Sequence, residues 1–184
     1  TGENDYAFLL ITSTTNPSGT LPASFTNISM SAAVPGTGDG VLVAGYPAGF
    51  LDGITIEKNL YATSAFTAIG QLYTFNTNAN NVDVVSLGGT VVSQGGSSGG
   101  AVVRTYDGKL VGLIATATTG ETTATRDLRA ITISYINRSL ASVGKLGLAE
   151  FLSVDLKAEV ASFASKTFIE EKQKLVDALS SPGR

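Results

Sequence analysis

Apolar residues in this chain fall in short runs separated by Gly, Asn, Asp and Pro. Runs at residues 7–11, 41–45, 54–63, 65–75, 82–87, 101–105, 109–118 and 127–131 are rich in β-branched or aromatic side chains. Short strands recurring at this spacing predict an antiparallel sandwich or barrel. Between two of the runs stands Tyr106-Asp107-Gly108-Lys109, whose Asp-Gly pair supplies the positive φ of a tight hairpin. From about residue 132 the period changes. Ile133, Ile136, Leu140 and Val143 mark a helical stripe closed by Gly144. A second helix is predicted over 154–179, with Ser153 as N-cap and Pro182-Gly183 beyond its end. Its apolar side carries Leu156, Val160, Phe163, Ile169, Leu175, Val176 and Leu179. Glu170 and Glu171 share the polar side with Lys172 and Lys174, a mixture that suits packing on protein better than lying on a membrane.

Composition narrows the class. Of 184 residues, 43% are hydrophobic and 15% charged, which favours an ordered β-rich domain, with or without a short appendage, over a disordered chain. A net charge of −3 without a basic cluster argues against nucleic acid as a partner. With no Cys and no His, a disulfide framework and the usual zinc sites are excluded, and neither metal nor cofactor is expected. No apolar run approaches the roughly 20 residues of a membrane span. Thr1 opens the chain without the basic start and apolar stretch of a signal peptide, so residues upstream are expected to have been removed or omitted.

The candidate chemistry lies in Gln94-Gly95-Gly96-Ser97-Ser98-Gly99-Gly100. A serine between glycines can present both its hydroxyl and neighbouring backbone N–H groups to a substrate. The same letters fit a flexible Gly/Ser turn. They also fit the Gly-x-Ser-x-Gly elbow of α/β-hydrolases, but that motif needs a helix after the serine and a later His. A P-loop is excluded because no Gly-Lys-Ser/Thr occurs.

Four segments in order resemble the trypsin/chymotrypsin-like serine peptidases: Asn4-Asp5-Tyr6-Ala7-Phe8-Leu9-Leu10-Ile11, Val43-Ala44-Gly45-Tyr46-Pro47-Ala48-Gly49, Gly96-Ser97-Ser98-Gly99-Gly100-Ala101 and Gly108-Lys109-Leu110-Val111-Gly112-Leu113-Ile114. The resemblance spans roughly residues 4–140. It implies a mainly β fold, with residues 1–35 as the end of a first barrel and a connection carrying Asp5. Residues 36–143 would be the second antiparallel β-barrel, carrying Ser98, and residues 144–184 a helical C-terminal extension. Ser98 is then the nucleophile and Asp5 the carboxylate that orients a His. The N–H groups of Gly96 and Ser98 would form the oxyanion hole. The His-bearing first barrel would precede Thr1, with its His roughly 40 to 60 residues before Asp5.

The expected partners are a protein or peptide substrate and that missing barrel of the same protein. Ser97 stands where many digestive trypsins carry an acid, so activation by pairing with a freed N-terminus is not implied. Val92 falls near the position of the trypsin pocket aspartate, which argues against Arg or Lys substrates. Ala115, Thr116 and Ala117 match the pocket wall and the edge that pairs with an extended peptide, and their small side chains suit a small or medium apolar residue.

Two other classes compete with an endopeptidase: a peptidase-like binding module that has lost its base, and a secreted surface module suggested by the Ser/Thr/Asn-rich loops around residues 116–125. An extracytoplasmic bacterial location suits the acidic, Thr-rich, Cys-free composition. Asn27-Ile28-Ser29 and Asn137-Arg138-Ser139 match the glycosylation pattern, and chance is the better reading of both.

Overall fold

The computed structural model describes residues 4–16, 18–49, 61–77, 80–144 and 146–180. Seven strands form one antiparallel sheet: β1 (Gly40–Gly45), β2 (Thr63–Ala68), β3 (Leu72–Tyr73), β4 (Val84–Ser86), β5 (Ala101–Arg104), β6 (Leu110–Ala117) and β7 (Leu128–Thr132). Their order across the sheet is β2-β1-β5-β6-β7-β4-β3. The fold is therefore mainly β, with the helices following in sequence. The predicted run at 54–63 lies almost wholly outside the described residues.

The expected closed barrel is corrected to a sheet with two edges, because β2 and β3 do not pair with each other. The chain instead bends directly from one edge strand into the other through Ile69-Gly70-Gln71. Ile69 N–H still donates to Asp39 O beside β1, whereas Gly70 N–H donates to Ser86 O on β4. Consecutive residues thus serve opposite ends of the sheet. The bend occupies residues that a continuous ladder between those edges would need.

Alternation along the strands creates two apolar layers. Val41, Val43, Val85, Val102, Val111, Ile114, Leu128 and Ala130 join Ile69, Val82, Leu87 and Val92 in one core. The opposite face supplies Ile131, with Val84, Leu113 and Ala115 around it. These residues pack with Ile133 and Ile136 of α1 (Ile133–Gly144) and with Leu148. Gly144 ends α1 as its sequence predicts. At the β5–β6 hairpin, Gly108 takes φ +67°, and Arg104 exchanges backbone bonds with Gly108 and Lys109.

Residues 7–11 do not form the predicted buried strand. They are irregular, and Leu9 is 91% exposed. Apolar composition suits a strand, but no strand among the described residues pairs with this segment. Ser153 is not an N-cap either. It closes α2 (Leu148–Ser153), donating its hydroxyl to Glu150 O, and the next helical turn is instead met by Asp155, whose carboxylate accepts from Lys157 N–H. The long C-terminal helix is present as α3 (Lys157–Ser162), a π-helical turn (Phe163–Thr167) and α4 (Phe168–Ser180).

Two compact units can be distinguished. One comprises residues 1–7 and 23–149, and contains the sheet and α1; the other comprises residues 8–22 and 150–184. Within the second, the rings of Phe8 and Phe151 meet at 4.9 Å. No helix among the described residues is long and apolar enough to cross a membrane.

A buried carboxylate ties α1 to the sheet. Asp83 is 1% exposed and accepts from Thr74 Oγ1 (2.8 Å), Phe75 N–H (2.7 Å) and the Arg138 guanidinium. Arg138 also donates to Ser134, so one arginine joins helix and β4. Removing the carboxylate strands three donors, although Arg138 keeps partial access to water. Asp83→Ala is expected to cost about 2–4 kcal/mol in urea unfolding, and Arg138→Met less, because that change leaves Asp83 two of its donors.

Candidate active site

Ser98 sits on an exposed turn leading into β5. The turn is built by close backbone approach. A Cβ on Gly100 would lie 2.4 Å from Ala44 O, and one on Gly96 2.7 Å from Tyr46 O and 2.9 Å from Ala48 Cβ. Gly96 also has φ +92°, a region that side chains disfavour. Glycine at these positions lets residues 95–100 press against β1 and the segment following it. Gly95 O then accepts from Ala48 N–H at 2.8 Å, fastening the two segments.

Within the turn, backbone donors divide sharply. Ser97 N–H donates to Gln94 O, Gly99 N–H to Ile114 O and Gly100 N–H to Ser97 O. The N–H groups of Gly96 and Ser98 have no acceptor among the described residues. One of these donors belongs to the nucleophile candidate itself and the other lies two residues before it. Ser97, between them, is 1% exposed and its hydroxyl has no partner among the described residues.

Ser98 Oγ donates to Ala115 O at 3.2 Å. An amide oxygen can hold this proton but cannot carry it away, so the hydroxyl is positioned without being activated. Two cavities share Ser98. One, of about 410 Å³, is lined by Gln94, residues 114–120 and Arg126; the other, of about 370 Å³, by residues 44–46 and 99–101 together with Ala62.

The residues expected to bind substrate separate into two groups. Ala115, Thr116 and Ala117 line the larger cavity beside Ser98. Pairing between β5 and β6 stops at Ala101↔Leu113, which leaves this edge of β6 beyond Ile114 without a strand partner among the described residues. Val92, by contrast, is completely buried in the hydrophobic core, and it is Gln94 and Gly95 that reach the cavity.

Asp5 is held by its neighbours. Asn4 Oδ1 accepts from Tyr135 and Ser139, and Tyr6 donates to Ser139 Oγ at 2.9 Å, so both flanking residues anchor to α1. Asp5 borders a third cavity, whose lining includes Ala115, Thr116 and Arg129. Ala115 and Thr116 therefore border both the Ser98 and the Asp5 cavities. Among the described residues no side-chain hydrogen bond links Asp5 to Ser98, and the chain holds no histidine.

Sequence reading missed Arg126. Its Nε donates to Gly120 O at 3.1 Å and its Nη1 to Ser93 O at 3.3 Å, turning the guanidinium into the wall of the larger cavity. Nothing in the polar stretch Thr122-Thr123-Ala124-Thr125-Arg126 announces this turn. Among the described residues, no group of three or more His, Cys, Asp or Glu could hold a metal ion.

The neighbouring Asp127 braces the same wall. It accepts from Ser86 Oγ (2.5 Å), Gly88 N–H (3.1 Å) and Arg129 Nε (2.9 Å). Burial pushes its carboxyl upward, but the bonds from Ser86, Arg129 and Gly88 outweigh that and hold it below its usual value. Comparison of the chain with protein-family models and with curated proteins finds no match.

The lowered Asp127 carboxyl sets a sign for pH dependence. Its ionised form is favoured in the folded state, so its contribution to stability is present above the unfolded-state value and lost as pH falls through the lower folded-state one. The unfolding free-energy advantage of the native chain over Asp127→Asn should shrink between about pH 5 and about pH 2, measured by denaturant titration.

Proposed function

We propose that this chain is the nucleophile-bearing part of a serine endopeptidase of the trypsin/chymotrypsin type. The observation that carries the reading is the pair of N–H groups, on Gly96 and Ser98, that have no acceptor among the described residues, beside an exposed hydroxyl at the junction of two cavities. Such donors stabilise the oxyanion of a tetrahedral intermediate, each contributing about 3 kcal/mol in other enzymes. The antiparallel, mainly β sheet suits that family in class, although its edges β2 and β3 do not close into the expected barrel.

In the proposed reaction Ser98 Oγ forms a bond to the scissile carbonyl carbon as an imidazole takes its proton. Collapse of the intermediate breaks the C–N bond, and the imidazole returns the proton to the departing amine. Water then hydrolyses the acyl-enzyme by the same route. The imidazole must come from a His outside these 184 residues. Asp5 would hold its ring in the correct tautomer, and the cavity that Asp5 borders shares Ala115 and Thr116 with that of Ser98.

The acyl side of a peptide would lie along the open edge of β6, with one side chain in the larger cavity. Its leaving side would pass over residues 44–46 and 99–101. One observation favours a second reading. Ser98 donates only to a backbone carbonyl, and the chain has no His, as expected for a peptidase-like binding module without a base.

Fluorophosphonate labelling of the full-length product of this reading frame separates the two. The endopeptidase reading expects labelling that disappears in Ser98→Ala and falls at least tenfold in Asp5→Asn. An unlabelled full-length protein, or labelling that survives Ser98→Ala, contradicts it and leaves the binding module.

A further inference from the structure

The larger cavity beside Ser98 carries a cation whose charge no neighbour neutralises. Arg126 spends two donors, one on Gly120 O and one on Ser93 O, both uncharged. Among the described residues it forms no ion pair with a carboxylate. Asp127, its neighbour in sequence, is committed to Ser86, Gly88 and Arg129. A guanidinium has five N–H donors in a fixed plane, so three remain after these contacts.

The position of this arginine is built rather than incidental. The two carbonyls that hold it come from two separate segments, Ser93 before Ser98 and Gly120 after β6. The same two segments also approach each other at Gly89, where a Cβ would lie 2.2 Å from Ala124 O. Thr116, Thr118 and Thr119 add hydroxyl-bearing side chains to the lining, while Ile114 and Leu128 add apolar ones. A cavity of about 410 Å³ has room for a side chain the size of glutamate.

We propose that this cavity selects a substrate side chain bearing a carboxylate, glutamate above all, and that Arg126 is the residue that determines the choice. The inference rests on the peptidase reading for the word substrate, but the anion preference of the cavity does not. A carboxylate placed among the remaining donors forms charge-assisted hydrogen bonds, which are about twice as strong as neutral ones. A neutral amide of the same shape gains only the weaker bonds. The apolar preference expected from Ala115, Thr116 and Ala117 is thereby replaced: those residues make the walls small, and Arg126 makes the cavity cationic.

Binding tests this without requiring turnover. Three N-acetylated peptides of one sequence are titrated calorimetrically into the full-length Ser98→Ala protein: one ending in Glu-amide, one in Gln-amide and one in Gln with a free terminal carboxylate. The Glu-amide peptide is expected to bind about tenfold more tightly than the Gln-amide peptide, with the difference shrinking as salt is raised. Arg126→Gln should abolish the difference, and Arg126→Lys should retain part of it.

Equal binding of the Glu-amide and Gln-amide peptides to the Ser98→Ala protein overturns the proposal. That comparison needs no change at Arg126, so it stands even if Arg126→Gln unfolds. A Glu preference that persists undiminished in a folded Arg126→Gln protein also overturns it. If the Gln peptide with a free carboxylate gains as much as the Glu-amide peptide, the cavity binds a chain terminus and the side-chain assignment falls. Failure of fluorophosphonate labelling alongside a tenfold Glu preference would remove the peptidase reading and keep the anion site.

Discussion

Everything proposed for this protein depends on how closely two stretches of backbone approach each other. Residues 95–100 lie against residues 44–48 at distances that leave no room for a Cβ on Gly96 or Gly100. Sterics, not a strong bond, set this geometry; the hydrogen bond from Ala48 N–H to Gly95 O fastens a contact that absent side chains permit. The turn that results satisfies the N–H groups of Ser97, Gly99 and Gly100 and leaves those of Gly96 and Ser98 without an acceptor among the described residues. A pair of donors left without acceptors is costly in a protein interior. Here it lies at the exposed surface, where water or a substrate oxygen can meet it.

From that turn the rest of the site follows through β6. Gly99 bonds to Ile114 and Ser98 to Ala115, so the position of the hydroxyl is referred to the strand that also lines its cavity. The far wall is fixed separately. Asp127 and Arg126, adjacent in sequence, face different tasks: one locks β4 and β7 through Ser86, Gly88 and Arg129, the other spans two loops through their carbonyls. The carboxylate is consumed by structure while the guanidinium keeps donors to spare, and the proposed anion preference of the cavity rests on that asymmetry.

Much of the fold was legible in the chain because strands report themselves through alternation. Val41 and Val43 face the core in turn, and the apolar runs at 101–105, 109–118 and 127–131 each contain a strand of nearly the predicted extent. Asp-Gly at the hairpin and Gly144 at the end of α1 are local requirements, so local reading finds them. The segment at 7–11 misled for the complementary reason: a strand needs a partner, and partnership is not encoded in the segment itself. Val92 falls near the pocket position by resemblance alone, and its apolar side chain packs in the core instead. Arg126 could not be found at all, since its inward turn depends on carbonyls presented by residues 6 and 33 positions away.

The central claim is that the free N–H groups of Gly96 and Ser98 receive an oxyanion formed at Ser98. A crystal structure of the full-length protein treated with a peptidyl phosphonate addresses it directly. The account predicts a phosphorus–oxygen bond to Ser98 Oγ, with the phosphonyl oxygen about 2.7–3.1 Å from both nitrogens. An unmodified Ser98, or an adduct whose oxygen points away from Gly96 and Ser98, would contradict it.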